Sequence, residues 1–323
     1  MINTIDIIIV NWNAEKQLYN CLKSISGLNR DGFKLNRVVV VDNASTDNSI
    51  NGLENLALPL EIIRNSENIG FAAACNKGAR NSKSDYLLFL NPDTKLFNNS
   101  LTLPLNYMQK KENEKVGICG VQLVDEKGTV QYTCARFPTL VNFISKILGL
   151  SQLFPKLFFS NYMTEWDHKE NKIVDQIMGA YFLVRHSLFK ELSGFDERFF
   201  VYFEDVDFSL RAYKAGWKSA FLSESKVYHR GGGISEQIKA KRLFYSLRSR
   251  ILYGYKHFRW LSATSLMLLT LFVEPWTRLV WNIIKDSNKE LKETFKAYFL
   301  LWKDIPKILK RLNWNDKNKN TSP

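Results

Sequence analysis

Val38-Val39-Val40-Val41-Asp42-Asn43 is four β-branched apolar residues stopped by a carboxylate and an amide. So long an unbroken apolar run has no polar face, so it reads as a strand buried on both sides. The same pattern occurs upstream, where Ile5 to Val10 runs into Asn11-Trp12-Asn13, and downstream, where Tyr86 to Leu90 runs into Asn91-Pro92-Asp93. Leu60 to Ile63 reads as a further strand. Helical patterns fall between them: Leu18, Cys21, Leu22 and Ile25 share one face, Ser45 or Thr46 is placed to cap a helix carrying Ile50 and Leu53, and Phe71 to Ala79 forms a small-residue helix after Asn68-Ile69-Gly70. Strand–helix alternation at this spacing predicts an α/β, doubly wound, mostly parallel sheet. Ligands of such sheets bind off the carboxyl ends of the strands, where the polar clusters stand. There is no GxGxxG after the first strand and no GxxxxGK[ST], so dinucleotide and P-loop readings are unsupported.

The later part is less regular. Val116 to Val124, Val130 to Thr133 and Ile173 to Val184 read as strands. Residues 137–172 are aromatic without clear periodicity and read as a flexible surface loop over a site. Val206, Leu210 and Tyr213 fit one face of a helix that begins at Glu204-Asp205 and stops at Gly216.

The chain has 323 residues and a net charge of +13, unevenly spread. Residues 1–235 hold 27 Lys and Arg against 25 Asp and Glu, a net of +2; residues 236–323 hold 18 against 7, a net of +11, with five of the eight Trp. A nucleic-acid coat is disfavoured by this near-neutral body. The four cysteines have no CxxC spacing, so zinc fingers and disulfide frameworks are unsupported. The N-terminus lacks the marks of a signal peptide, and the body reads as cytoplasmic. Trp260 to Val273 is an uncharged stretch of 14 residues, short of the roughly 20 that a spanning helix needs, and reads as an in-plane segment or re-entrant hairpin. From Leu291 to Leu312, apolar residues recur at three- and four-residue steps among Lys292, Lys296, Lys303, Lys307 and Lys310, with Pro306 expected to kink or restart the helix. Such a basic amphipathic stripe suits an anionic membrane surface or a partner helix.

Several residues carry candidate chemistry. Asp93 can hold a hard divalent cation, or simply complete an Asn-Pro-Asp turn. Asp42 can accept from a nucleobase or ribose, or cap the next helix. Glu204-Asp205 follows Phe199, Phe200, Tyr202 and Phe203, surroundings that raise a carboxylate toward general-base duty; helix capping explains the same acids. His229 precedes Arg230 and Gly231-Gly232-Gly233, a ligand and a charge beside backbone that can approach an anion. One base, one metal anchor and one nucleotide-edge carboxylate suit transfer from an activated nucleotide sugar, whose leaving diphosphate needs no acid.

The chain resembles the family 2 glycosyltransferases, inverting enzymes of the GT-A fold, and within them the rhamnosyltransferase-like branch. The resemblance rests on Ile9-Val10-Asn11-Trp12-Asn13, Val40-Val41-Asp42-Asn43-Ala44-Ser45-Thr46-Asp47, Asn65-Ser66-Glu67-Asn68-Ile69-Gly70-Phe71, Phe89-Leu90-Asn91-Pro92-Asp93, Gly194-Phe195-Asp196-Glu197 and Glu204-Asp205-Val206-Asp207. It implies a GT-A doubly wound mixed sheet over residues 1–235 with a basic, aromatic, helical extension over 236–323. It further implies that Asn11, Asp42, Asn43, Asn68, Gly70, Phe71, Asn76 and Asn91 line the nucleotide-sugar pocket. Gly179, Ala180, Asp196 and Glu204 then serve the acceptor, Asp205 is the base, and Asp93 with His229 holds Mg²⁺ or Mn²⁺. The family's Asp-x-Asp has Asn91 in first place, leaving one carboxylate for the metal. The implied partners are a nucleotide-diphospho-sugar (dTDP-rhamnose or a UDP-sugar), a polyprenyl-diphosphate-linked or glycan acceptor and an anionic membrane on its cytoplasmic face. No nucleic acid is implied, and a homo-oligomer stays open. The competing reading is a non-catalytic membrane adaptor that retains the fold.

Overall fold

The computed structural model describes residues 2–158, 160–231, 239–284 and 287–319. In chain order the elements are β1 (Asn3–Asn11), α1 (Lys16–Ser26), β2 (Phe33–Asp42), β3 (Leu60–Arg64), α2 (Phe71–Ala79), β4 (Tyr86–Leu90), β5 (Thr94–Leu96), α3 (Thr102–Gln109), β6 (Val116–Val124), β7 (Cys134–Ala135), α4 (Leu140–Ile147) and α5 (Leu150–Leu153). There follow β8 (Lys172–Val174), β9 (Gln176–Ile177), β10 (Tyr181–Arg185), α6 (His186–Glu191), α7 (Glu204–Lys214), β11 (Lys218–His229), α8 (Lys239–His257), α9 (Trp260–Leu268), α10 (Glu274–Ile284) and α11 (Asn288–Lys319). They form two compact units: residues 1–137, 162–200 and 204–234, and residues 138–161, 201–203 and 235–323. The boundary at 235/236 and the glycines Gly232 and Gly233 lie outside the described residues.

The first unit is built on a mixed sheet of order β3-β2-β1-β4-β10-β6-β11-β5, with β8 also pairing β11. β1, β2, β3 and β4 run parallel, whereas β10 enters antiparallel between β4 and β6. Successive residues of one strand go to opposite faces. Ile7, Ile9, Val38 and Val40 pack beneath α1, while Ile8, Val10, Val39 and Val41 pack beneath α2. That is why these strands carry no polar alternation. α2 is made of small residues because it lies close to the sheet: a Cβ on Gly78 would come within 2.7 Å of Ile8 Cγ2.

Asp6 is a fully buried charge within the apolar body of β1. It takes Ser84 Oγ (2.6 Å), Asn36 Nδ2 (3.0 Å) and Arg37 Nη2 (2.8 Å), tying β1 to β2 and to the entry of β4.

The structure corrects several expectations. Ser45 and Thr46 cap no helix: the segment forms one 3-10 turn at Leu53–Asn55, because Ser45 Oγ is taken by Asn11 Nδ2 (3.0 Å) and Asn13 N (2.9 Å). Val130 makes only an isolated bridge to Val124. Ile173 to Val184 breaks into β8, β9 and β10. Residues 137–172 are no plain loop. Thr139 and Asn142 form a capping box that starts α4, and residues 138–161 belong to the second unit. The buried face of α7 is Asp207, Phe208 and Ala212, and Tyr213 is exposed. Asp207 can be buried because Arg211 pairs with it at 2.8 Å. The four cysteines are free and buried.

In the second unit α8 packs along α11, and Arg248 bonds Asp304 across them at 2.8 Å. α11 continues through Pro306 without a restart. The expected stripe divides. Tyr298 and Ile308 are buried, whereas Phe295, Phe299 and Trp302 are exposed; Leu312 lies beyond the described side chains. Trp260 to Val273 forms α9 and a π-helical turn that leads into α10. No helix among the described residues is long and apolar enough to cross a membrane.

Burial alone would raise the Asp6 carboxyl, but the Ser84, Asn36 and Arg37 donors outweigh it and hold it below its ordinary range. A carboxylate lowered on folding adds stability above its unfolded pKa and loses it as pH falls through the folded value. Asp6→Asn should therefore cost about 2–3 kcal/mol at neutral pH in urea unfolding, with the gap closing below roughly pH 4.

Candidate active site

The parallel register brings the strand ends together: Asn11 of β1 stands opposite Asp42 of β2, and Ile9 opposite Leu90 of β4. Asn11 is fully buried, its Nδ2 within hydrogen-bond distance of Asp42 Oδ1 (2.7 Å), Ser45 Oγ (3.0 Å) and Ser49 Oγ (2.9 Å). Asn43 donates its backbone N–H to Asn11 O (2.8 Å) and its amide to Gly70 O (3.2 Å). Asn65 donates to Asn43 Oδ1 (2.8 Å), Lys77 donates to Asn65 Oδ1 (2.6 Å), and Gly70 N donates to Asn68 Oδ1 (3.0 Å). The result is a loop lattice held by side-chain amides rather than by regular pairing, which suits backbone that must stay irregular.

Gly70 sits at φ +89°, and a Cβ there would fall 2.6 Å from Phe200 O, the atom that accepts from Phe71 N at 2.6 Å. Asn76 on α2 is engaged at both ends by Phe195, accepting from its N–H (2.9 Å) and donating to its carbonyl (2.8 Å), and also donates to Glu197 (3.0 Å). Asp196 is closed onto Arg198 by paired hydrogen bonds. Asn76 and Asp196 thus serve here to hold the Gly194–Glu197 turn.

Tyr202 and Phe203, at φ +67° and +69°, lead the chain into α7. Consecutive left-handed residues other than glycine cost about 1–3 kcal/mol each and cluster at working sites. Asp205, half-buried, takes Gly179 N on Oδ2 (2.9 Å), Val206 N on Oδ1 (2.8 Å) and Gln176 Nε2 on Oδ2 (3.3 Å). Burial pushes its carboxyl up, against those donors. Glu204 is buried more deeply, and burial first, then the charge of Asp205, pushes its carboxyl well above the usual range. Its Oε2 has no hydrogen-bond partner among the described residues. Glu204 is thus the more strongly raised of two adjacent carboxyls. Ala180 is buried, and its carbonyl accepts from Asn91 N at 3.0 Å, fixing the start of the Asn91-Pro92-Asp93 turn.

His229 meets Asp93 because β11 pairs antiparallel with β5, setting His229 opposite Thr94. His229 Nε2 lies 3.5 Å from Asp93 Oδ1. Gln131 Nε2 donates to His229 O (2.9 Å), which turns Gln131 Oε1 toward His229 Nδ1 (3.1 Å). The network thus assigns the proton to Nδ1 and leaves the Nε2 lone pair facing a carboxylate. Burial lowers the imidazole pKa, against the pull of Asp93, and favours this neutral form. A cation between them would satisfy both facing acceptors. One carboxylate and one imidazole fit a divalent ion that takes its other oxygens from phosphate and water. Among the described residues no three acidic, His or Cys side chains converge as a complete metal cage.

The sequence singles out Asp93, Asp205 and His229, and not Gln131, Gln176 or Arg211, which the structure sets against them or against Asp207. Gln131 lies in an irregular segment and Gln176 starts the two-residue strand β9, neither within a motif. Arg211, which pairs with Asp207 and donates to Leu192 O and Gly194 O, looks like any basic residue near a helix end.

The sheet order and the polar strand ends define a nucleotide-sugar transferase fold of the GT-A type. The model of Glycosyl transferase family 2 matches residues 6–193, more than half of the chain, and the chain belongs to that family as a glycosyltransferase. It is 25% identical over 242 residues to the N-acetylglucosaminyl-diphospho-decaprenol L-rhamnosyltransferase of Mycobacterium tuberculosis, covering 71% of this chain and 76% of that one. It is 29% identical over 178 residues to Rhamnosyltransferase WbbL of Escherichia coli K12, covering 54% and 63%. Among solved structures, the mannosyltransferase PcManGT of Pyrobaculum calidifontis superposes with a TM-score of 0.52 at 15% identity, covering 96% of this chain and 87% of that one. Residues 1–349 of S. aureus TarS give 0.51 at 16% identity, covering 91% and 78%. At these identities the structures support the fold alone.

Gly70→Ala adds a methyl where a carbonyl already stands, in a backbone region that disfavours side chains. We expect it to lower stability by about 1–3 kcal/mol in thermal unfolding and to weaken nucleotide binding in titration calorimetry at a temperature where the variant is folded.

Proposed function

We propose that the protein transfers a sugar, with rhamnose preferred, from a nucleotide diphosphate to a hydroxyl of a polyprenyl-diphosphate-linked or growing glycan, with inversion at the anomeric carbon. The observation that carries this reading is the state of Asp205: half-buried, raised by burial, and oriented by the N–H groups of Gly179 and Val206. That is the condition of a carboxylate general base. Asp205 takes the acceptor's hydroxyl proton while the acceptor oxygen forms its bond to the anomeric carbon. The bond from that carbon to the diphosphate oxygen breaks on the opposite face, and the electron pair leaves with the diphosphate. One displacement inverts the centre. Asp93 and His229 would hold Mg²⁺ or Mn²⁺, which when bound supplies the positive charge that stabilises the departing diphosphate. Asp42, Asn11, Asn43, Asn68 and Gly70 form the nucleotide edge. Rhamnose is favoured by the names of both relatives, and the lipid-linked acceptor by the name of the first.

The second unit is proposed to rest on an anionic membrane at the cytoplasmic face. Exposed Trp260, Phe272, Trp276, Phe295, Phe299 and Trp302 accompany the +11 of residues 236–323. Aromatic and basic side chains together favour the bilayer interface.

Asp205→Asn should lower kcat by roughly 10²–10⁴-fold while donor affinity, measured by calorimetry, stays within about threefold. Retained turnover would remove Asp205 as the base. Because the base must be ionised and its pKa is raised, the acidic limb of the wild-type rate profile should lie above the ordinary carboxylate range of about 4. Chelation by EDTA should abolish transfer and added Mn²⁺ or Mg²⁺ restore it, with Asp93→Asn losing Mn²⁺ affinity in the presence of nucleotide.

A further inference from the structure

Gln176 opens the short strand β9 and is only 6% exposed. A primary amide buried in that way needs acceptors for its hydrogens. It finds two: Nε2 donates to Ile177 O (2.8 Å) and to Asp205 Oδ2 (3.3 Å). Because both neighbours are acceptors, the nitrogen of the amide and not its oxygen faces Asp205. The backbone around it is fixed. Gln176 pairs with Ala135 and Ile177 with Cys134 between β9 and β7, and Met178 N donates to Thr133 O (3.1 Å). The amide is thus held against the carboxylate by a strand separate from α7, which carries Asp205.

A carboxylate offers about four lone-pair positions, two on each oxygen. On Asp205, Oδ2 takes Gly179 N (2.9 Å) and Gln176 Nε2, and is filled. Oδ1 takes Val206 N (2.8 Å) and no second hydrogen bond among the described residues. One position therefore stays open, and it is on Oδ1. We infer that Gln176 is a positioning residue that closes Oδ2, so that the acceptor hydroxyl delivers its proton to Oδ1 of Asp205. The acceptor's O–H bond breaks, the proton bonds to Oδ1, and the electron pair stays on the acceptor oxygen for its bond to the anomeric carbon. This role rests on the proposal that Asp205 is the base, and adds which of its oxygens acts and what selects it.

The same bond bears on the proton affinity of Asp205. A donor to the ionised form favours that form, and the Gln176 amide works with the N–H groups of Gly179 and Val206 against the effect of burial. The titratable groups on the surrounding elements are all acids. Glu204 stands beside Asp205, with Asp207 and the buried Cys75 thiol of α2 near Glu204. Cys134 of β7 is buried, and Asp175, just before β9, accepts from Phe137 N (3.1 Å). Among the described residues no cation pairs with Asp205, so neutral donors alone oppose its burial.

The test follows the Asp205 carboxyl by carbon NMR of the full chain carrying isotope-labelled aspartate, the resonance being assigned by its loss in Asp205→Asn. Gln176→Met keeps the length of the side chain and removes the donor. It should raise the titration midpoint of Asp205 by about half to one pH unit, and Gln176→Glu should raise it further by facing the carboxylate with a second acid. A residue that only fills space would leave the midpoint of Gln176→Met unchanged. Two readouts need no variant. In the native chain the Gln176 side-chain amide protons should shift with the Asp205 midpoint, and the Val206 amide proton should shift more than that of Gly179, because protonation falls on Oδ1. A midpoint unmoved in folded Gln176→Met, Gln176 protons that ignore the titration, or a larger shift at Gly179 overturns the role of Gln176 and leaves Asp205 standing as the base. Turnover retained in Asp205→Asn overturns the base reading and this role with it.

Discussion

Burial of both faces of the sheet is the constraint from which the site follows. With α1 below and α2 above, β1 and β2 have no solvent face, and their side chains are apolar from Ile7 to Val10 and from Val38 to Val41. Polar chemistry is thereby excluded from the strand bodies and confined to their ends. Parallel pairing sets those ends side by side, Asn11 against Asp42. The carboxyl ends then carry loops that cannot be regular, because each must turn away from the sheet at once. Side-chain amides take over the work of backbone pairing there: Asn11, Asn43, Asn65 and Asn68 each hold a neighbouring loop.

The setting of Asp205 and Asp93 depends on a different device. Strand β10 enters antiparallel between β4 and β6, and its approach carries Gly179 and Ala180 past the end of β4. Ala180 O fixes Asn91, while Gly179 N–H fixes Asp205. One short stretch therefore positions both the Asn91-Pro92-Asp93 turn and Asp205. The β11–β5 pairing completes the arrangement by setting His229 against Asp93.

Much of this was legible because strand bodies and strand ends differ so sharply in composition. The parallel strands, α2 and the roles offered to Asp93, Asp205 and His229 all came from residues next to a buried run or inside a motif. What escaped depended on partners distant in sequence. Asp207 and Arg211 bury each other, so a polar–apolar pattern turned α7 to the wrong face. Ser45 looked like a helix cap because its actual partners, Asn11 and Asn13, lie on another strand end. α4 was missed because its capping box uses Asn142 where the usual signature has Glu or Gln, and because its exposed apolar residues blur the period. No periodicity reveals that Gln131 would set the tautomer of His229.

The charge of the last 88 residues also divides on inspection of where it lies. Lys292, Lys296, Lys303, Lys307 and Lys310 stand beside exposed Phe295, Phe299 and Trp302. Arg248 and Arg250 are buried against Asp304 and Glu274, with Arg278 beside them. The division follows from the side chains. An ammonium is strongly hydrated and favours water at the end of a long stem, whereas a planar guanidinium gives up its water more readily and returns several directed bonds. The two sets also differ in reach. Charges at the surface act over about 8–10 Å and fade with salt, so they favour any anionic surface and discriminate little. Buried charges are screened less and act on the partners packed against them. A patch of the first kind favours anionic surfaces in general, whereas the ion pairs of the second kind hold α8 to α10 and α11.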